Sequence, residues 1–503
     1  MNSPLRTFAA LFVVLVSRPA FGQAPVVVES RPAADASLEF STTESAPNEP
    51  TATGCLCSEE TEGGIDAIFG DKPALHFLRN RDLGIGGWTY SVGGQLRYRV
   101  MDERFRLRPQ GNVRRDTYNL WRFTPFAEIG NDRITAHVQA IDASIFGEDI
   151  PMLPIDENRA DLLQYYVDLN IGDVGGNPLH VRYGRQFLKY GSQLLVSPLP
   201  WANTFRNFEG TRLYYQGETW DVDGFAVQPL NAAANNTSHP QSFDTLDQSV
   251  WFAGAYARYK KLRRGQFDVY WLWLNEDEPK LNRQDGRRHT IGGRYHGTMP
   301  VADSSETVRY TWLWDVEGAW QFGRDGFQNG GGNLDVNAGF VTAISSITFN
   351  RVPWQPTLKG LFWWGSGDDD PGDGRSNTLT TLFPFGHYYW GLIDNFNGAN
   401  LLDYSVQVSV KPTKKLTYLA AWHWFDKANR NDHVYNVAGA PLGPLGGARN
   451  IGQELDLLAT YAVNPNLSFQ MGYFWFWYGG AVDGTALARP DAHQFYFMAT
   501  WGF

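Results

Sequence analysis

The chain has 503 residues, of which 15% are aromatic (19 are Trp) and 52 are Gly, and its formal net charge is −10. That charge argues against a nucleic-acid partner, and past the N-terminus no run of the ~20 apolar residues that a membrane helix needs occurs. A mean hydropathy of −0.36 with so much Trp, Tyr, Phe and Gly suits a membrane barrel, where only alternate residues meet lipid, or a secreted all-β enzyme.

Residues 1–22 read as a secretory signal. Arg6 supplies the positive start, Phe8 to Val16 a short apolar core, and Ala20-Phe21-Gly22 the small-residue cleavage site before Gln23. Residues 23–85 are expected to form a disordered periplasmic arm, rich in Pro, Ala, Ser, Thr and Glu as far as residue 62. Within it the apolar patch Ile65 to Phe69 could be a helix or a plug element. Cys55 and Cys57 are too close for an unstrained disulfide, have no nearby His for a metal site, and lie far from the cleavage site. A structural or incidental role is favoured for them.

From residue 86 to 503 the pattern turns to a period of two. Trp88, Tyr90, Val92, Leu96, Tyr98 and Val100 share one face, and Thr89, Ser91, Gln95, Arg97 and Arg99 the other. The alternation recurs about 18 times, at 88–100, 117–129, 133–142, 161–172, 179–190, 209–218, 220–229, 248–260, 265–276, 288–297, 306–322, 334–348, 355–365, 401–412, 415–425, 451–462, 467–477 and 493–503. An even count predicts an all-β, antiparallel transmembrane barrel in contact with outer-membrane lipid.

The connections test this. Counting back from the last strand, the set at 463–466, 412–414, 350–354, 298–305, 261–264, Thr219, 173–178 and 130–132 is mostly short. The opposite set includes 143–160, 191–208, 230–247, 366–400 and 426–450 and is long. Short periplasmic turns and long extracellular loops are a property of outer-membrane barrels. The last strand, Phe495, Phe497, Ala499, Trp501 and Phe503 on one face, keeps its apolar side to the final residue.

The polar face holds the chemistry. Arg97, Arg99, Arg122, Arg133, Arg182, Arg212, Arg258, Arg294 and Arg309 fall on it by this register, and a ladder of always-charged guanidiniums would attract anions. The competing expectation pairs them with Glu128, Asp168, Asp223, Asp268, Asp315, Glu317, Glu454 and Asp456 in a braced, mixed-charge lumen. The loop Asp368-Asp369-Asp370-Pro371-Gly372-Asp373 could hold a structural Ca²⁺, although a solvated acidic loop is the commoner outcome. No other cofactor is expected. There is no G-x-S-x-G or H-E-x-x-H pattern, and His137, His289, His296 and His423 are scattered singly, so an enzyme is not expected.

The stretch Val181-Arg182-Tyr183-Gly184-Arg185-Gln186, with Tyr190-Gly191, Trp201, Asn203, Arg206 and Phe208-Glu209-Gly210-Thr211-Arg212, resembles the alginate export family. So do Gly365-Ser366-Gly367-Asp368-Asp369-Asp370 and Ile451-Gly452-Gln453-Glu454-Leu455-Asp456. The resemblance implies an 18-stranded outer-membrane barrel with an electropositive pore, and a transport role for Arg185, Arg206 and Arg212. The arm bearing Cys55 and Cys57 departs from the family pattern. The expected function is passive passage of anionic polysaccharide or sugar acids, with periplasmic export machinery as a partner. The alternatives are a diffusion porin for small anions or sugars, and a non-conducting surface anchor or adhesin.

Overall fold

In a computed structural model, residues 74–109, 114–231, 243–276, 286–325 and 334–503 are described. The signal, most of the arm, the Ile65 to Phe69 patch and both cysteines lie outside them.

Eighteen long strands form one closed antiparallel barrel. They are β1 Thr89–Arg104, β2 Arg115–Gly130, β3 Ile134–Phe146, β4 Asn158–Val174, β5 Asn177–Gln186 and β6 Phe208–Gln216. Next come β7 Trp220–Asn231, β8 Val250–Tyr259, β9 Gln266–Glu276, β10 Gly286–Ala302, β11 Val308–Asp325 and β12 Leu334–Phe349. The last six are β13 Thr357–Gly365, β14 Leu401–Val410, β15 Leu416–Lys427, β16 Asn450–Ala462, β17 Leu467–Tyr478 and β18 Ala492–Gly502. Each pairs with its neighbour in sequence, and β18 returns to β1 from Gln95↔Gly502 to Arg104↔His493. Backbone hydrogen bonds between Gly94 and Phe503, 3.1 and 3.0 Å, carry the seam to the last residue. Closure leaves no strand edge unpaired, the condition for a sheet to sit in hydrocarbon.

All eighteen expected segments are strands. The main difference is at β10, which extends to Ala302 instead of ending at 297, while β11 begins at Val308, leaving a turn at 303–307. A proline inside a strand lacks the N–H of a ladder bond, yet the pairing continues through Pro300↔Thr311.

The alternation separates two environments. Outward residues such as Trp320, Met471 and Val406 are about half exposed, whereas inward Phe474, Phe476 and Tyr496 have no exposure at all. Lumen walls of an empty pore would be wet. These are dry because the 187–207 and 366–400 loops turn inward and fill the long-loop half of the barrel. Phe396 packs on Phe425 and Phe476, and Trp363 lies against Trp390 with its indole N–H donating to Gly398 O at 3.0 Å.

The end of the arm is ordered, contrary to expectation. Residues 76–78 form a 3₁₀ turn, and Arg81–Asp82 pairs with Thr89–Tyr90. Arg79 reaches the lumen at the short-turn rim, over the Phe126 ring at 4.5 Å, and donates to Phe503 O at 2.9 Å. An ion–ring contact and a bond to the closing strand offset the entropy of ordering this segment.

Candidate functional site

The candidate site is the lumen cross-section where the two inward loops meet. They bond to each other first. Ser197 N donates to Phe383 O, Phe383 N to Leu195 O and Phe385 N to Gln193 O, each at 2.9 Å. Arg206 fastens the pair through Pro384 O at 3.1 Å. Burial in this loop core pulls its pKa down to about 10.

The walls then grip the loops. On β1 and β2, Arg97 donates to Pro200 O at 2.8 Å and to Ala202 O, and Arg122 donates to the same carbonyls at 3.1 and 3.0 Å. Asn203 bonds three wall and loop carbonyls, of Trp121, Ser144 and Asp156. Trp201 is wedged between the Arg99 guanidinium, 3.9 Å from its ring, and the His387 imidazole, stacked at 3.8 Å, with Tyr496 edge-on at 5.1 Å. His387 Nδ1 lies 2.8 Å from Asp394 Oδ2. Burial nevertheless lowers the pKa of this imidazole, so the stack favours its neutral form. Farther along the wall, Glu454 of β16 accepts the backbone N–H of Ile393 at 2.9 Å.

The arginine ladder divides into two groups. Arg182 pairs with Asp168 at 2.7 Å, Arg212 with Asp223 at 2.8 Å, Arg258 with Asp268 at 2.9 Å, and Arg294 with Asp315 at 2.7 Å. A lumen tyrosine shares most of these carboxylates, with Tyr214 donating to Asp168 at 2.7 Å, Tyr190 to Asp223 at 2.7 Å, and Tyr256 to Asp268. Arg185 is buried near Asp161 and Glu209, both at 3.6 Å, and donates to Leu162 O and Asp244 O. These positions follow the braced-lumen expectation.

Arg97, Arg99 and Arg122 form the second group. They are 4%, 3% and 1% exposed, and no carboxylate lies within ion-pairing distance of them among the described residues. Among the described residues, Arg97 Nε, Arg122 Nε, and Arg99 Nε and Nη1 have no hydrogen-bond acceptor. Buried donors left open are costly, and four of them converge on one wall opposite neutral carbonyls and rings.

Two ladder positions are corrected. Arg133 sits in the 131–133 turn, exposed at the short-turn rim, because β3 begins one residue later at Ile134. Arg309 is also exposed at that rim, 3.4 Å from Asp303 of the adjoining turn. The carboxylates of the acidic loop bond within their own loop. Asp368 accepts Asp370 N at 3.2 Å, Asp370 accepts Gly372 N at 3.3 Å, Asp373 accepts Arg375 N at 2.8 Å, and Asp369 accepts from the Asn377 amide at 3.0 Å. These carboxylates order their own backbone, and among the described residues no three His, Cys, Asp or Glu side chains converge as metal ligands do.

His423 is less plain than its lone place in the sequence suggested. Its Nδ1 is 2.9 Å from Asp403 and its Nε2 4.0 Å from Asp456, on neighbouring strands β14 to β16. Only β17 and β18 separate this acidic patch from the arginines of β1 and β2 along the barrel wall. Cross-strand register creates this, so linear spacing could not reveal it. The inward loops did leave a signal in the sequence. Leu194-Leu195-Val196 and Tyr388-Tyr389-Trp390 with Leu392-Ile393 are apolar runs where an extracellular loop would be polar.

The model of a family described as alginate export matches residues 89–492. The chain belongs to the alginate export family. No curated protein matches the sequence. Among solved structures, this family member resembles a BenF-like porin from Pseudomonas fluorescens with a TM-score of 0.55 at 10% identity, over 82% of this chain and 98% of the porin. It resembles OpdQ of Pseudomonas aeruginosa (TM-score 0.52, 12% identity) and OpdK of the same organism, crystallised with vanillate (TM-score 0.51, 12% identity), with the same coverage of both chains. At such identities the likeness is one of fold. Family and fold are those of channel barrels, and the protein is an outer-membrane β-barrel.

Proposed function

We propose that the protein is a passive channel for an anionic, alginate-like polysaccharide, selected by the Arg97, Arg99 and Arg122 wall. The supporting observation is the set of four buried guanidinium N–H groups without acceptors. Where these arginines are engaged, their partners are mainly neutral backbone carbonyls. A uronate carboxylate forms shorter, charge-assisted and bidentate bonds with guanidinium, so it can replace Pro200 O and Ala202 O on this wall. The paired arginines on β5, β6, β8 and β10 keep their aspartates and serve as bracing. In this reading the 187–207 and 366–400 loops close the lumen until polymer displaces them.

A second reading is favoured by the backbone bonds that interlock the two loops within the lumen. A small carboxylate would pass it with less loop movement, and OpdK was crystallised with one such acid, vanillate. The two readings separate in a planar bilayer under a salt gradient. The wild-type channel is expected to be anion-selective and blocked by polyuronate added on one side. Arg97→Gln with Arg122→Gln should move the reversal potential toward zero. Block by monomeric uronate but not by polymer would favour the second reading, and cation selectivity in the wild type would end both.

A further inference from the structure

We infer that the outer wall of β10 to β12 carries a docking site for a phosphorylated lipid headgroup of the outer leaflet. Arg287 is the second residue of β10 and Arg324 the last but one of β11, so both stand at the long-loop, extracellular rim on the lipid-facing side. They are direct cross-strand partners, and like charges placed opposite each other destabilise a sheet. The row continues with Asp335, in register with Arg324, and Arg375, in register with Asp335. Three guanidiniums and one carboxylate leave a surplus of two positive charges. Among the described residues none of the four side chains makes an ion pair or hydrogen bond.

Other outward arginines at this rim are compensated. Arg104 and Arg115 share Asp102 at 3.2 and 3.0 Å, and Arg159 meets Asp142 at 3.1 Å. The β10–β11 row is the exception, and the residues beneath it fit a lipid. One side-chain row down, about 7 Å toward the membrane centre, His289 stacks on Phe322 at 5.1 Å, and Phe322 on Trp320 at 4.7 Å. Trp271 donates its indole N–H to His289 Nδ1 at 3.2 Å. Aromatic rings at this depth mark the interface, where headgroups lie against apolar chains. A phosphate at the level of Arg287 and Arg324 accepts from both forks and removes their repulsion.

Native mass spectrometry of the full chain in detergent micelles tests the site. Diphosphorylated lipid A is expected to remain bound, and its dephosphorylated form to be lost. Arg287→Gln with Arg324→Gln should weaken retention by about tenfold or more, the scale of two lost charged hydrogen bonds. Arg104→Gln, on the compensated wall, should leave retention unchanged. Equal retention of the two lipids by the wild type, or of diphosphorylated lipid A by the double variant, would overturn the proposal. So would millimolar inorganic phosphate displacing the lipid completely, since the site would then be one for a free anion. The wild-type comparison of the two lipids stands even if the double variant does not fold.

Discussion

Replacing Trp201 with Ala removes the wedge that holds the 187–207 loop across the lumen. The ring contacts Arg99 at 3.9 Å, His387 at 3.8 Å and Tyr496 at 5.1 Å. A desolvated cation–π contact contributes about 2 kcal/mol, and each aromatic contact about 0.5–1.5 kcal/mol. The closed arrangement thus loses about 3–5 kcal/mol, in line with the usual cost of emptying a buried Trp site. At 1.4 kcal/mol per factor of ten, the ratio of closed to open falls by about 10²–10⁴. The bonds from Arg97 and Arg122 to Pro200 and Ala202 survive the change. Single-channel recording should therefore show frequent brief openings rather than a permanently open pore. The barrel itself should remain folded, judged by heat-modifiable gel mobility, because Trp201 belongs to no strand. A folded variant with wild-type conductance and wild-type noise would refute the wedge.

Acidity should act on the 243–249 segment through Asp244. Burial first, and then Asp161, raise its pKa to about 7 from the ordinary carboxylate value, and Asn158 donates to it at 3.0 Å. A carboxyl that holds its proton more tightly when packed contributes stability at low pH and loses it as pH rises through about 7. Hydrogen exchange in 243–249 should accelerate from pH 5 to pH 8 beyond the chemical rate, and Asp244→Asn should abolish the excess. Gly184→Ala should lower the urea midpoint in micelles, since Gly184 has φ +133° and a Cβ there would lie 2.2 Å from Tyr165 O. Backbone strain of this kind costs about 1–3 kcal/mol, and an unchanged midpoint would show that β4 and β5 can part locally.

Strand positions and faces were legible in the sequence because a barrel wall is a local pattern. Each residue's side depends on parity, and parity survives errors of two residues at an end. The lumen was less legible. Whether Arg294 meets Asp315 or Arg97 meets none depends on which strands adjoin and in what register. Arg133 and Arg309 show the limit of parity, which gives a face but not a height along the barrel. The inward turn of the 187–207 loop was present as composition, in Leu194 to Val196 and Trp201, but loop length drew attention to the outside. The partners of His423 come from the pairing of β14, β15 and β16, three strands spread over sixty residues of chain.

The backbone bonds joining residues 193–197 to 383–385 make one body of two distant loops. Each loop has its own hold on the wall, through Pro200 and Ala202 on one side and Ile393 on the other. Neither can leave without either breaking the shared bonds or drawing the other along. On the proposed function, opening is then a concerted event with a single threshold, and a ligand that engages only the arginine wall also loosens the hold of β16 on the second loop. A channel closed in this way is expected to open in an all-or-none manner, at a threshold set by the weaker of the two anchors.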